Sequence, residues 1–214
     1  MSSNSTKVLV LDFDGVIVDS NGIKDKVFYQ LFCRFPEHTD TLMEYHRTYI
    51  SVSRYEKFDF LLQQIGEPTN EALKEELLKD FSSITLSYMR TVPFLNGAKE
   101  FLEEVNSILP TYLASVTPID DLEMILESLG IRSFFKDVYG CPPWTKPNAI
   151  RDILYKENIQ PSFALLIGDS YGDQQAAFET GIKFIGRDSG LGFRDPQPTH
   201  IINDLIGFSN YFKK

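Results

Sequence analysis

Cysteine is scarce in this chain: Cys33 and Cys141 are the only two among 214 residues. Neither stands in a spacing suited to a metal or a redox pair, so both read as reduced, partly buried thiols of a cytoplasmic protein. Long hydrophobic runs are absent too, and none approaches the length of a membrane span. MSSNSTK at the start leads into a short strand and not into a cleavable apolar segment, so neither membrane nor export is expected. Positive charge is in deficit, with 21 Lys and Arg against 30 Asp and Glu and a net charge of −9. Such a balance argues against a surface that tracks nucleic-acid phosphates and in favour of a small-molecule partner. No internal repeat and no low-complexity segment occurs. Nothing in the sequence signals an oligomeric state.

What is present is alternation. Val8 to Leu11, Thr111 to Ala114, Val138 to Tyr139, Phe163 to Ile167 and Lys183 to Ile185 are short β-favouring runs separated by helical patterns. That order predicts a parallel sheet covered on both faces, an open doubly wound α/β fold. Leu122, Ile125, Leu126 and Leu129 form one apolar helical stripe closed by Gly130, and Ile150, Ile153 and Leu154 form another after Pro147.

The alternation breaks after the first strand. Ile23, Val27, Leu31 and Phe35 recur at helical spacing, as do Tyr55, Phe58, Leu62 and Ile65, and then Leu73, Leu77, Phe81 and Ile84. The expected organisation is an α/β core of residues 1–19 and 91–214 with an inserted α-helical domain of residues 20–90.

Acidic residues stand where an apolar strand should end. VLVLDFDGVIVDS places Asp12 and Asp14 at the carboxyl edge of the first strand, on one side by alternation, with Phe13 turned away and Gly15 leaving room for a ligand. Desolvated carboxylates need a partner, and ligands of open α/β sheets lie beyond that edge. GDSYGD brings Asp169 and Asp173 to the same edge, TYLA ends in Ser115, and CPPWTKP carries Lys146 in a loop. Acids from separate strands can hold a hard cation through oxygen, and Mg²⁺ keeps few carboxylates and completes its shell from water and phosphate. Ser115 and Lys146 would meet the remaining phosphate charge. Taken singly, each of these residues reads as a turn, cap or surface group; their convergence on one sheet edge is what argues for a site.

At these residues the chain resembles the haloacid dehalogenase superfamily of phosphohydrolases: DFDGV from Asp12, Ser115 at a strand end, Lys146 and GDSYGD match its four motifs in order. The helical insertion after the first motif is similar to the branch with an α-helical cap, which includes phosphoglycolate phosphatase and β-phosphoglucomutase. The resemblance implies a Mg²⁺-dependent phosphatase acting on a small phosphorylated metabolite of the sugar-phosphate class through an aspartyl-phosphate. It implies Asp12 as nucleophile and Asp14 as the acid that protonates the leaving oxygen and later activates water. Asp12, Asp169 and the Asp14 carbonyl would ligate the metal, Asp173 would orient its water, and Ser115 and Lys146 would grip the phosphoryl oxygens.

Other functions fit less well. A dehalogenase of this superfamily lacks the second acid of the first motif, and Asp14 is present. A phosphomutase shares Asp12 and Asp14 and stays open as an alternative. A non-catalytic phosphate-binding module would have no evident use for a helical cap. GLG from Gly190 to Gly192 opens no helix and reads as a turn.

One stretch of the insertion, HRTYISVSRYEKF from His46 to Phe58, gathers positive charge in an acidic chain. With Tyr55, Phe58, Leu62 and Ile65 as the buried stripe, Arg54 and Lys57 share an adjoining face that can stay open to solvent. Arg54, Lys57, Arg47 and His46 are therefore candidate contacts for the non-transferred part of the substrate, favouring an acidic group. A solvated basic edge is the alternative.

Overall fold

The structure, a computed structural model, describes residues 6–50 and 52–213, and of Asn21 the backbone alone. The start of the N-terminal stretch and Ser51 of the basic stretch lie outside these residues.

Uninterrupted apolar runs form the sheet because its strands are buried on both faces. The strands are β1 (Val8–Leu11), β2 (Thr111–Ala114), β3 (Asp137–Tyr139), β4 (Ala164–Gly168), β5 (Lys183–Arg187) and β6 (Ile201–Ile202), in the order β3-β2-β1-β4-β5-β6. Every pairing is parallel. The edge strand β6 was not expected; two isoleucines after a proline-rich loop carry too little pattern to be read.

Between the strands of this unit run α5 (Ala98–Val105), α6 (Ile119–Ser128), α7 (Lys146–Glu157) and α8 (Tyr171–Thr180). Val8, Val10, Tyr112, Ala114, Ala164 and Leu166 pack with Ala149, Ile150 and Ile153 of α7 and with Ala176 and Ala177 of α8. The alternate residues Leu9, Leu11, Leu113, Leu165 and Ile167 are equally buried on the opposite face. Strand order reverses between β1 and β4, and Leu11 lies in register with Ile167. The carboxyl ends of these two strands therefore flank the crevice where such sheets bind ligands.

Ser20–Thr91 forms a second compact unit, and the residues before and after it make up the first. The second unit holds α1 (Asn21–Phe32), α2 (Thr39–Thr48), α3 (Arg54–Gln64) and α4 (Glu71–Met89). It has its own core, in which Val27, Phe28, Leu31, Phe32, Leu42, Met43, Phe58, Leu61, Leu62, Leu77 and Phe81 meet. Ser53 caps α3 and Asn70 caps α4, each accepting from a backbone N–H of the first turn. Among the described residues no helix is long and apolar enough to cross a membrane.

Candidate active site

The site is assembled by chain ends of the sheet. Asp12 follows β1, and its backbone N–H donates to the Ile167 carbonyl at 3.0 Å, which fixes it beside the end of β4. Asp169 follows β4 directly, and Ser115 follows β2 with its N–H bonded to the Tyr139 carbonyl at 2.9 Å. Asp12, Asp14, Ser115, Asp169 and Asp173 are all buried.

Lys146 does not sit in a loop, as expected from CPPWTKP, but opens α7 behind Thr145, whose hydroxyl accepts from Asn148 N–H. A cation at a helix N-terminus is disfavoured by the helix dipole. Two carboxylates offset this: Lys146 Nζ lies 2.8 Å from Asp12 Oδ1 and also pairs with Asp173. Burial alone would lower the lysine pKa, but Asp12 and Asp173 outweigh it and hold the ammonium firmly charged.

Asp173 is fully enclosed. One of its oxygens meets Lys146, while Oδ2 accepts from Ser170 Oγ at 2.6 Å and from Ser170 N–H at 3.1 Å. Ser170 and Asp173 thus form the reciprocal cap of α8. Gly168 makes this approach possible, since a Cβ there would overlap the Asp173 side chain.

Each of Asp12, Asp169 and Asp173 offers an oxygen, and these atoms lie within 4.8 Å of one another. Three buried carboxylates around one ammonium leave an excess of negative charge that burial penalises heavily. Burial pushes the Asp12 carboxyl well above its usual range, with Asp173, Asp169 and Asp14 adding to the effect and Lys146 opposing it. An oxygen-only donor set with surplus negative charge fits a divalent cation. The Asp14 carboxyl is not part of this trio; its Oδ2 meets the Thr117 hydroxyl at 3.3 Å.

Sequence reading missed Thr117 and Ser170. Ser170 carries a signal, because Ser-x-x-Asp ahead of a helix is a capping pattern. Thr117 carries none: it reaches Asp14 across 103 residues, a proximity that only the sheet order creates.

Within the helical unit, the expectation of a solvent-open face fails. Arg54 and Lys57 are buried and Tyr55 is only half-buried, because α3 turns the arginine and lysine inward with Phe58. Arg54 stacks on Phe81 at 4.5 Å and donates to Ser82 Oγ at 2.8 Å. Lys57 lies over Phe28 at 5.0 Å and 2.8 Å from His46 Nδ1, and His46 Nε2 lies 2.8 Å from Asp25 Oδ1. His46 is likewise buried, while Arg47 is 65% exposed and 3.8 Å from Asp25. Desolvation, then the charge of Lys57, lowers the His46 pKa to about 4 against the pull of Asp25. Desolvation, then Lys24, lowers that of Lys57 to about 7. The expected charge cluster is thus drawn largely into an aromatic interior.

Residues 9–187 match the family model described as haloacid dehalogenase-like hydrolase. The chain belongs to that family. A phosphoglycolate phosphatase from Psychrobacter arcticus is 24% identical over 97% of this chain and 96% of its own length. The solved structure of a haloacid dehalogenase-like hydrolase from Streptococcus pneumoniae superposes with a TM-score of 0.75 at 22% identity, covering 98% of this chain and all of that one. A haloacid dehalogenase-like hydrolase of Bacillus subtilis, described as bound to magnesium, is 16% identical with a TM-score of 0.70 over 98% of this chain and 99% of its own. The protein is thus a hydrolase of the haloacid dehalogenase-like family, and the curated relative it matches along nearly its whole length is a phosphatase.

Proposed function

We propose that this hydrolase is a Mg²⁺-dependent phosphatase that removes the phosphoryl group from a small phosphorylated metabolite, a sugar phosphate, in the cytoplasm. The observation that carries the reading is the pairing of Asp12 with Lys146 inside a ring of buried carboxylates. Mg²⁺ bound by Asp12, Asp169 and the Asp14 carbonyl, with Asp173 beside it, would supply positive charge against the phosphoryl oxygens.

The chain's own residues account for the rest. An Asp12 carboxylate oxygen forms a bond to phosphorus as the ester P–O bond breaks, and the leaving oxygen takes the proton of Asp14. Lys146 and Ser115 neutralise and orient the phosphoryl oxygens throughout. In the second half Asp14 takes a proton from the attacking water, whose oxygen bonds to phosphorus. The acyl-phosphate P–O bond then breaks, releasing phosphate and restoring the Asp12 carboxylate. Phosphate esters hydrolyse so slowly unaided that dividing the reaction in this way is chemically reasonable.

For the remainder of the substrate, Arg47 is the candidate contact for an acidic moiety, being the exposed member of the basic stretch, whereas Arg54, Lys57 and His46 are enclosed among aromatic and polar partners of their own unit. The test is release of inorganic phosphate, with Mg²⁺ present, from a panel of two- and three-carbon acid phosphates, hexose phosphates, longer sugar phosphates and nucleotides. Release from one class supports the proposal; an isomeric sugar phosphate formed with no free phosphate would make the protein a mutase.

A further inference from the structure

Thr117 lies just beyond β2, in the turn that leads into α6, and the reaction outlined above makes no use of it. It is 4% exposed, and its hydroxyl stands 3.3 Å from Asp14 Oδ2. A buried hydroxyl needs a partner. Its backbone is held from several sides. The N–H donates to Ser115 Oγ at 3.1 Å, and the carbonyl accepts from Cys141 N–H at 3.1 Å. Pro118 restricts it to extended backbone. At Gly140 a Cβ would stand 2.7 Å from the Thr117 carbonyl oxygen, so a glycine there lets the end of β3 close upon the turn. The β-branched side chain then has few rotamers left.

We propose that Thr117 is the positioning residue for Asp14, holding its carboxyl in the orientation from which it gives a proton to the leaving oxygen and later takes one from water. A hydroxyl suits a group that changes protonation between the two half-reactions, because it donates to an ionised carboxylate and accepts from a protonated one. Lysine or arginine could only donate and would favour the ionised form throughout. A separation of 3.3 Å is long for two oxygens, and contacts of this kind commonly shorten once substrate is bound.

This inference rests on the reading of Asp14 as leaving-group acid, and one experiment separates the two. Thr117→Val, Thr117→Ser and Asp14→Asn are compared with wild type on an alkyl phosphate, whose leaving group needs the proton, and on an aryl phosphate, whose leaving group does not. Circular dichroism confirms folding, and Thr117→Ala replaces the valine variant should that not fold. Thr117→Val is expected to lower kcat/KM, which reports only the transfer to Asp12 that releases the leaving group, at least about tenfold on the alkyl ester and by less than about twofold on the aryl ester. Thr117→Ser should recover most of the loss, and Asp14→Asn should show the same selectivity more strongly. If Asp14→Asn discriminates but Thr117→Val slows both esters alike, or serine does no better than valine, the role of Thr117 is overturned and that of Asp14 stands. If Asp14→Asn does not discriminate, both are overturned.

Discussion

Lys146 Nζ sits 2.8 Å from Asp12 Oδ1 and reaches Asp173 from the same position. A lysine at the first residue of a helix is thereby the internal counterion for carboxylates supplied by two other chain segments.

Lys146→Met should therefore be costly in two ways. Removing one partner of a buried ion pair leaves the other charge uncompensated, a loss of about 3–5 kcal/mol. Chemical denaturation should show a drop of that order, and phosphate release should fall by about a hundredfold or more with the loss of a charge-stabilising contact. A variant of wild-type stability would mean that the pair contributes nothing to folding.

Divalent-ion removal should act in the same region. Prolonged treatment with EDTA is expected to abolish phosphate release, and added Mg²⁺ to restore it. The same addition should raise the thermal midpoint of wild type, because an ion that binds only the folded state stabilises it. Replacing Asp169 with Asn should weaken both responses. A midpoint indifferent to Mg²⁺ at millimolar concentration would count against the carboxylate trio as its site.

Gly168→Ala tests the packing behind Asp173. The added methyl overlaps the Asp173 side chain, so either β4 or α8 must shift. A destabilisation of about 1–3 kcal/mol is expected from such overpacking, together with a fall in kcat larger than any change in KM. Full activity would show that Asp173 need not stand where it does.

The helical unit should respond to pH through His46 and Lys57. The folded-state pKa of His46, about 4, lies below the ordinary 6.5, so folding favours its neutral form. Its contribution is present in full above pH 6.5 and is lost as pH falls from 6.5 toward 4, by roughly 3 kcal/mol at most. Lys57, lowered from 10.5 to about 7, acts in the same sense, adding stability as pH rises between those values. His46→Asn, which keeps an acceptor for Lys57, should flatten the acid limb of a stability-against-pH curve measured by urea denaturation. An unchanged slope between pH 6.5 and 4 would show that His46 is not desolvated as described.

Strand positions were legible because buried parallel strands are written as unbroken apolar runs: VLVL and TYLA match β1 and β2 residue for residue. Asp12, Asp169 and Ser115 could be found because each ends such a run, where an open sheet binds its ligands. Lys146 was found but misplaced, since Pro142, Pro143 and Pro147 around it suggested a loop, whereas Pro147 is a favoured residue of a first helical turn. The shorter α2 and α5 and the two-residue β6 were not distinguished, their patterns being too brief to separate from neighbours.

By itself the sequence determined the alternation of the first five strands with helices, the helical insertion after the first strand, and which polar residues stand at strand ends, because these depend on local periodicity and on neighbours along the chain. Partners across space were decided by tertiary structure alone. The strand order β2-β1-β4 brings Thr117 to Asp14 and Lys146 to Asp12 and Asp173. In the helical unit the same limit has the opposite effect. Helical spacing placed Arg54 and Lys57 on one face of α3, but whether that face met water or protein depended on where Phe28 and Phe81 packed. The aromatic faces of Phe28 in α1 and Phe81 in α4 meet the charged ends, and Ser82 and His46 supply their hydrogen-bond partners, so the two cations are tolerated inside.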